Sequence, residues 1–189
     1  VCLACWRDPA LTREVGGAIA EECLHYDVGL LLGPGVNIKR SPLNGRNFEY
    51  YSEDPLLAGE LAAGFINGAQ EKGVGTSLKH YAVNNQERLR MSINAAVDDR
   101  ALFDIYLRAF EIAVQNSRPA SVMASHTRVN GSYACNSRRL LTDILRLRFG
   151  FTGAVTSDSG ADYRRPHVIT PGRASAMPGS GGVHDAALV

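Results

Sequence analysis

The feature that most constrains this chain is a repeated alternation of two patterns. Short apolar runs at 28–32, 74–81, 121–125 and 153–157 have the length and β-branched or aliphatic content of buried strands. Between them lie stretches with helical spacing. The first, over 9–26, opens on Pro9 and aligns Leu11, Val15, Ala18, Ile19 and Leu24. The second starts at Asp54-Pro55, places Leu57, Leu61, Phe65 and Ile66 on one face and stops near Gly73. The third is capped by Asp98 or Asp99 and carries Leu102, Ile105, Tyr106, Ala109, Ile112 and Ala113. The fourth spans 137–148 and ends before Gly150. Buried strands alternating with helices predict a parallel α/β sheet. A complete (β/α)8 barrel needs roughly 250 residues. With four clear strands in 189 residues, the expectation is a partial TIM-like barrel, with an open doubly wound sheet as the alternative.

Composition narrows the function classes. Hydrophobic residues make up 45% of the chain, enough for a packed core. Lysine and arginine total 20 against 19 acidic residues, so no basic excess points to nucleic acid or an anionic membrane surface. No run reaches the ~20 apolar residues of a membrane helix. Cys2 and Cys5 form one close pair, but a zinc ribbon needs a second, and Cys23 and Cys135 stand apart. No metal or organic cofactor is expected. Gly33-Pro34-Gly35 and Gly73-Val74-Gly75 lack the spacing of phosphate loops.

Parallel α/β folds build their sites at the C-terminal ends of the strands. There the sequence places Asn37, Lys39, Arg40, Asn44, Arg46 and Glu49 after the first strand. The second is followed by Lys79, His80, Asn84, Asn85, Gln86 and Glu87. Ser125, His126 and Arg128 follow the third, and Asp158 and Ser159 the fourth. One rim rich in amides, cations and carboxylates suits a polyhydroxylated ligand. Plainer readings stay open at this point. Asp158 can cap a helix, Arg46 can pair with Glu49 or Glu53, and His80 can be a core histidine.

These residues also resemble a known family. The runs Leu31-Leu32-Gly33-Pro34-Gly35-Val36-Asn37-Ile38 and Gly45-Arg46-Asn47-Phe48-Glu49-Tyr50-Tyr51-Ser52-Glu53-Asp54-Pro55 resemble glycoside hydrolase family 3. Lys79-His80-Tyr81, Asn84-Asn85-Gln86-Glu87, the region 121–131 and Thr156-Ser157-Asp158 continue the likeness in order and spacing. The resemblance implies the N-terminal barrel of a retaining β-glucosidase. Asp158 is then the nucleophile, and Arg46, Lys79, His80 and Arg90 bind sugar hydroxyls. Met123 lies on a strand lining the same pocket. A nucleophilic carboxylate must stay ionised, and Arg46, Lys79 and Arg90 are expected to surround it with positive charge. The substrates implied are small β-glucosides or cello-oligosaccharides, with β-xylosidase or arabinofuranosidase activity as alternatives. A non-catalytic sugar-binding or inert remnant is the other alternative.

Departures from the family pattern are equally specific. Ser159 stands where the family usually has tryptophan, and His126 where it usually has tyrosine. The resemblance covers 1–161, is lost over 162–176 as if out of frame, and returns over 177–189 at Met177-Pro178-Gly179. An upstream sugar-binding aspartate and the domain that usually carries the acid/base glutamate are not in these residues. The catalytic acid is therefore expected from a missing domain or a partner chain.

Overall fold

The computed structural model describes residues 2–161. A short helix α1 (Cys2–Cys5) precedes α2 (Pro9–His25). The Asp8 carboxylate caps α2 by accepting from the Ala10 and Leu11 amides, and Pro9 occupies its first turn. Strand β1 (Leu30–Leu31) follows, then α3 (Pro55–Glu71), capped in the same way by Asp54. Strand β2 is Gly75–Tyr81. A minor strand β3 (Asn94–Ala95) leads into α4 (Asp99–Ala101) and α5 (Arg108–Ser117), joined by a wide-wound segment, Leu102–Tyr106. Strand β4 (Ser121–Ala124) comes next, then β5 (Arg128–Val129) and β6 (Ser132–Tyr133). A wide-wound helix, Arg139–Arg148, precedes β7 (Ala154–Ser157).

The main sheet has the order β1-β2-β4-β7 and every pair is parallel. Four consecutive helix–strand units thus lie side by side, as the sequence pattern predicts. Strand β1 is shorter than the run 28–32. Its outer edge has no partner strand among the described residues, and Val28, Leu30 and Leu32 are exposed there. A second, three-stranded sheet, β3-β5-β6, was not foreseen. Its hairpin turns at Asn130 and Gly131, both at positive φ, and the Asn130 side chain ties the turn to the Val97 backbone.

Register decides which side chains reach the site. Leu78, Val122 and Val155 form one row across the sheet and are fully buried against the helices. Ser77, Ser121 and Ala154 lie on the opposite face, with Lys79, Met123 and Thr156 one layer further along. The pairing of β2 with β4 shifts between Lys79 and Tyr81, so His80 is an extra residue in β2. Such a bulge re-aims a side chain and is common beside active sites. It lets both Lys79 and His80 serve the site while Tyr81 returns to the helix side. There Tyr81 meets the Phe110 ring edge-on at 5.2 Å and donates to the Leu140 carbonyl at 2.9 Å.

Helices α2 and α3 pack with their backbones nearly touching. Gly16, Gly64 and Gly68 lie at the crossing, and a Cβ at Gly68 would overlap the Arg13 carbonyl. That close approach seats α3 on the sheet through Ala58, Leu61, Ala62 and Ile66.

Candidate active site

Asp158 follows β7 directly, and its amide donates to the Ala124 carbonyl at 2.9 Å. This extends the β4–β7 pairing by one bond and fixes where the carboxylate leaves the sheet. Its Oδ1 accepts from the Ser159 amide at 2.7 Å. Its Oδ2 faces two imidazoles, with His126 Nε2 at 3.7 Å and His80 Nε2 at 3.9 Å. Both histidines are buried, whereas the Asp158 side chain keeps 13% of its surface open. The segment in which a helix capped by Asp158 would run lies largely outside the described residues.

The expected cations are present, arranged differently from the expectation. Lys79 Nζ lies 3.2 Å from Glu49 Oε2. Arg46 pairs with Glu49 and stands 3.9 Å from Glu87, which also holds Arg90 at 3.3 Å. The order Lys79–Glu49–Arg46–Glu87–Arg90 is a chain of alternating charge. Among the described residues, the ion pairs of these three cations go to Glu49 and Glu87, and the groups beside Asp158 are imidazoles. Physically, three cations crowded near one carboxylate repel one another, and two intervening carboxylates relieve that repulsion. The pairing of Arg46 with Glu49 considered from sequence is therefore present within the site itself.

Electrostatics follow from this crowding. Burial pushes the His80 imidazole down from 6.5 to about 2, and the charges of Arg46, Lys79, Arg90 and His126 push it the same way. His80 is neutral at ordinary pH. Burial also lowers His126, as does Arg90, against Asp158, a hydrogen bond to the Ser159 backbone and Glu87, which raise it. Burial alone would lower the Arg46 guanidinium, but its hydrogen bond to Glu49 and the charges of Tyr50, Glu49 and Glu87 leave it raised.

Met123 is buried in β4, in register with Lys79 on one side and Thr156 on the other. Two residues past Thr156 on the same face comes Asp158, which sets Met123 one strand over from the residues leading to the carboxylate. Ser159 is exposed and contributes its amide to Asp158. Two residues not placed at the site from sequence, Tyr50 and Thr127, stand behind it. Tyr50 bonds to His80 and accepts from Asn84, a residue of the predicted rim, and Thr127 supports Asn84. Tyr50 lay within the quoted motif, yet nothing in its spacing marks a hydroxyl that reaches an imidazole 30 residues away. The stretches 162–176 and 177–189, read from sequence as departing from and returning to the family pattern, lie outside the described residues.

A parallel strand–helix array whose strand ends gather one carboxylate, two imidazoles and a chain of ion pairs is part of a (β/α) barrel with its polar rim at the strand ends. The family model "Glycosyl hydrolase family 3 N terminal domain" matches residues 1–168, and the chain belongs to that family. It is 51% identical over 173 residues to an exo-α-(1→6)-L-arabinopyranosidase of Bifidobacterium longum, covering 92% of this chain and 23% of that protein. It is 49% identical over 187 residues to thermostable β-glucosidase B of Acetivibrio thermocellus, covering 99% and 25%. The solved β-glucosidase 3B of Thermotoga neapolitana, in complex with α-D-glucose, superposes with a TM-score of 0.93 at 46% identity, over 95% of this chain and 25% of that one. The chain thus spans about a quarter of the length of the relatives it matches. Its four strands are part of the (β/α)8 barrel of family 3.

Proposed function

We propose that this chain supplies the nucleophile half of a retaining β-glucosidase site, with Asp158 as the nucleophile. The observation that carries the reading is the position of the Asp158 carboxylate. It emerges where β2, β4 and β7 converge, mostly buried, with two neutral imidazoles 3.7 and 3.9 Å away.

The chemistry follows from that position. A terminal β-glucosyl residue binds with its hydroxyls toward Arg46, Lys79, His80 and Arg90. An Asp158 oxygen attacks the anomeric carbon as the bond to the aglycone oxygen breaks, and an acid outside these residues protonates that oxygen. Water then attacks the anomeric carbon of the glucosyl ester and gives its proton to the outside group that has just lost one, which releases glucose and restores both the Asp158 carboxylate and the acid. Both steps pass through an oxocarbenium-like state, and a buried anion beside neutral N–H groups suits its positive charge. Glu49 and Glu87 are bound to cations and act as supports. The acid/base glutamate belongs, on this reading, to a further domain or chain.

The relatives' names support a second sugar. An α-L-arabinopyranoside lacks the hydroxymethyl arm of a β-D-glucoside and carries its 4-hydroxyl axial instead of equatorial; the lost arm alone is worth about 1–3 kcal/mol in a fitted pocket. The test is a chimera in which residues 2–161 replace the matching segment of thermostable β-glucosidase B. Aryl β-D-glucoside and aryl α-L-arabinopyranoside are assayed in parallel, and a slow fluoroglucoside is used to trap the adduct. Turnover of the glucoside with mass added at Asp158 supports the proposal. A preference for the arabinopyranoside assigns the second sugar. Labelling at another residue, or full activity in Asp158→Asn, ends the reading of Asp158 as nucleophile.

A further inference from the structure

We propose that Tyr50 is a positioning residue that fixes the tautomer of His80, so that the imidazole presents Nε2–H toward Asp158 and the sugar bound there. This rests on the proposed role of Asp158 and adds how the neighbouring imidazole is set.

The argument starts at an obligate acceptor. Glu87 Oε1 lies 3.0 Å from Asn84 Nδ2, and a carboxylate facing an amide requires the NH2 side. The other side agrees, because Asn84 Oδ1 accepts from Thr127 Oγ1 at 3.2 Å. The amide orientation is thus fixed at both ends. The same Nδ2 donates to the Tyr50 hydroxyl at 3.1 Å, so one lone pair of that oxygen is taken. The hydroxyl's own proton then points to its remaining partner, His80 Nδ1, at 3.1 Å. Nδ1 is an acceptor, and the ring proton resides on Nε2, the atom 3.9 Å from Asp158 Oδ2. The opposite tautomer would aim a nitrogen lone pair at a carboxylate and leave the Tyr50 proton without that acceptor.

Burial makes the relay decisive. Tyr50 is 0%, His80 1% and Asn84 2% exposed, so water does not compete for these bonds. Gly35 keeps the tyrosine ring in place, since a Cβ there would lie 2.9 Å from its Cδ1 and Cε1 atoms. The charged and titratable groups acting on His80 are Arg46 from the loop after β1, Lys79 from β2, Arg90 from the loop after β2, and His126, with Asp158 Oδ2 at 3.9 Å; Glu49 and Glu87 are paired with those cations. Tyr50→Phe removes none of these charges and isolates the effect of the hydroxyl.

In the chimera described above, Tyr50→Phe is expected to lower kcat/KM on an aryl β-glucoside about tenfold. It is also expected to slow fluoroglucoside labelling of Asp158 and, in nitrogen-15 NMR of the histidine-labelled variant, to release the His80 proton from its confinement to Nε2. Wild-type kcat/KM with the His80 proton still held on Nε2, while Asp158 is still labelled, overturns the proposal and leaves the nucleophile standing. Labelling elsewhere in both proteins removes the nucleophile and this inference with it. Should Tyr50→Phe fail to fold, nitrogen-15 NMR of histidine-labelled wild-type protein decides. A His80 proton on Nε2 supports the relay, and one on Nδ1 overturns it.

Discussion

Asn37 and His80 exchange two hydrogen bonds: Asn37 Nδ2 donates to the His80 carbonyl at 2.9 Å, and the His80 amide donates to Asn37 Oδ1 at 2.8 Å. The side chain imitates a neighbouring strand at the point where β2 bulges away from β4. Asn37→Ala leaves a buried N–H and a buried carbonyl without partners. Each costs about 1–3 kcal/mol, so unfolding in urea is expected to shift by at least about 2 kcal/mol. Asn37→Asp keeps one acceptor but sets a carboxylate against the carbonyl, and the expected loss is as large.

Acid should unfold this protein through its buried imidazoles. The folded His80 stays neutral down to about 2, while an unfolded histidine binds its proton near 6.5. Below 6.5 the unfolded state holds the extra proton, so stability falls as pH falls from 6.5 toward 2. Between about pH 7 and about pH 5, His80 alone accounts for about 2 kcal/mol of that loss. His126, also lowered, adds in the upper part of the window. Urea titrations at the two pH values check this, and His80→Gln is expected to flatten the dependence by the His80 share.

The charge chain makes Glu49 a shared acceptor for Lys79 and Arg46. Glu49→Gln preserves shape but removes the charge that holds both cations apart. In the chimera, glucose inhibition is expected to weaken about tenfold, the equivalent of about 1.4 kcal/mol. Aspartate at the same position keeps charge but shortens reach, and an intermediate effect is expected. Equal inhibition constants in wild type and Glu49→Gln would show that the cations are placed without it.

Gly68 offers a test of the scaffold. A methyl group there meets the Arg13 carbonyl of the facing helix, and backbone cannot swing aside as a side chain does. Gly68→Ala gains helix propensity, worth about 1 kcal/mol on an exposed helix, yet overpacking costs about 1–3 kcal/mol. The net expectation is a lower melting temperature, measured by circular dichroism. Gly73, with open space around its Cβ position, is the contrasting site, although its φ of 89° makes alanine there a cost in backbone strain alone.

These sites show what sequence carries and what it does not. Period and length were enough to locate four parallel strands, because buried strands and amphipathic helices each impose their own spacing. The strand-end rule then collected Lys79, His80, His126 and Asp158 onto one rim. The small sheet was missed although Asn130-Gly131 is a two-residue hairpin signal; its strands of two residues are too short for any alternation to register. The bulge at His80 was illegible because it depends on the pairing of Lys79 with Met123 and of Tyr81 with Ala124, strands far apart in the chain. For the same reason the pairing of the cations with Glu49 and Glu87, in preference to Asp158, follows only from packed distances.

Ser159 gives the last prediction its point. The family resemblance places tryptophan directly after the nucleophile, and here a serine stands exposed with its backbone engaged, the amide by Asp158 Oδ1, and with a backbone hydrogen bond to His126. Because those bonds come from the backbone, any side chain at this position preserves them. Ser159→Trp therefore adds an aromatic face beside the sugar without disturbing the carboxylate. Covering about 50 Å² of apolar sugar surface is worth about 1 kcal/mol. KM for an aryl β-glucoside in the chimera is expected to fall about fivefold, with kcat little changed, since the face contacts ground state and transition state alike. A rise in KM would mean that the indole closes the 13% opening through which Asp158 is reached, and that serine is the residue this pocket requires.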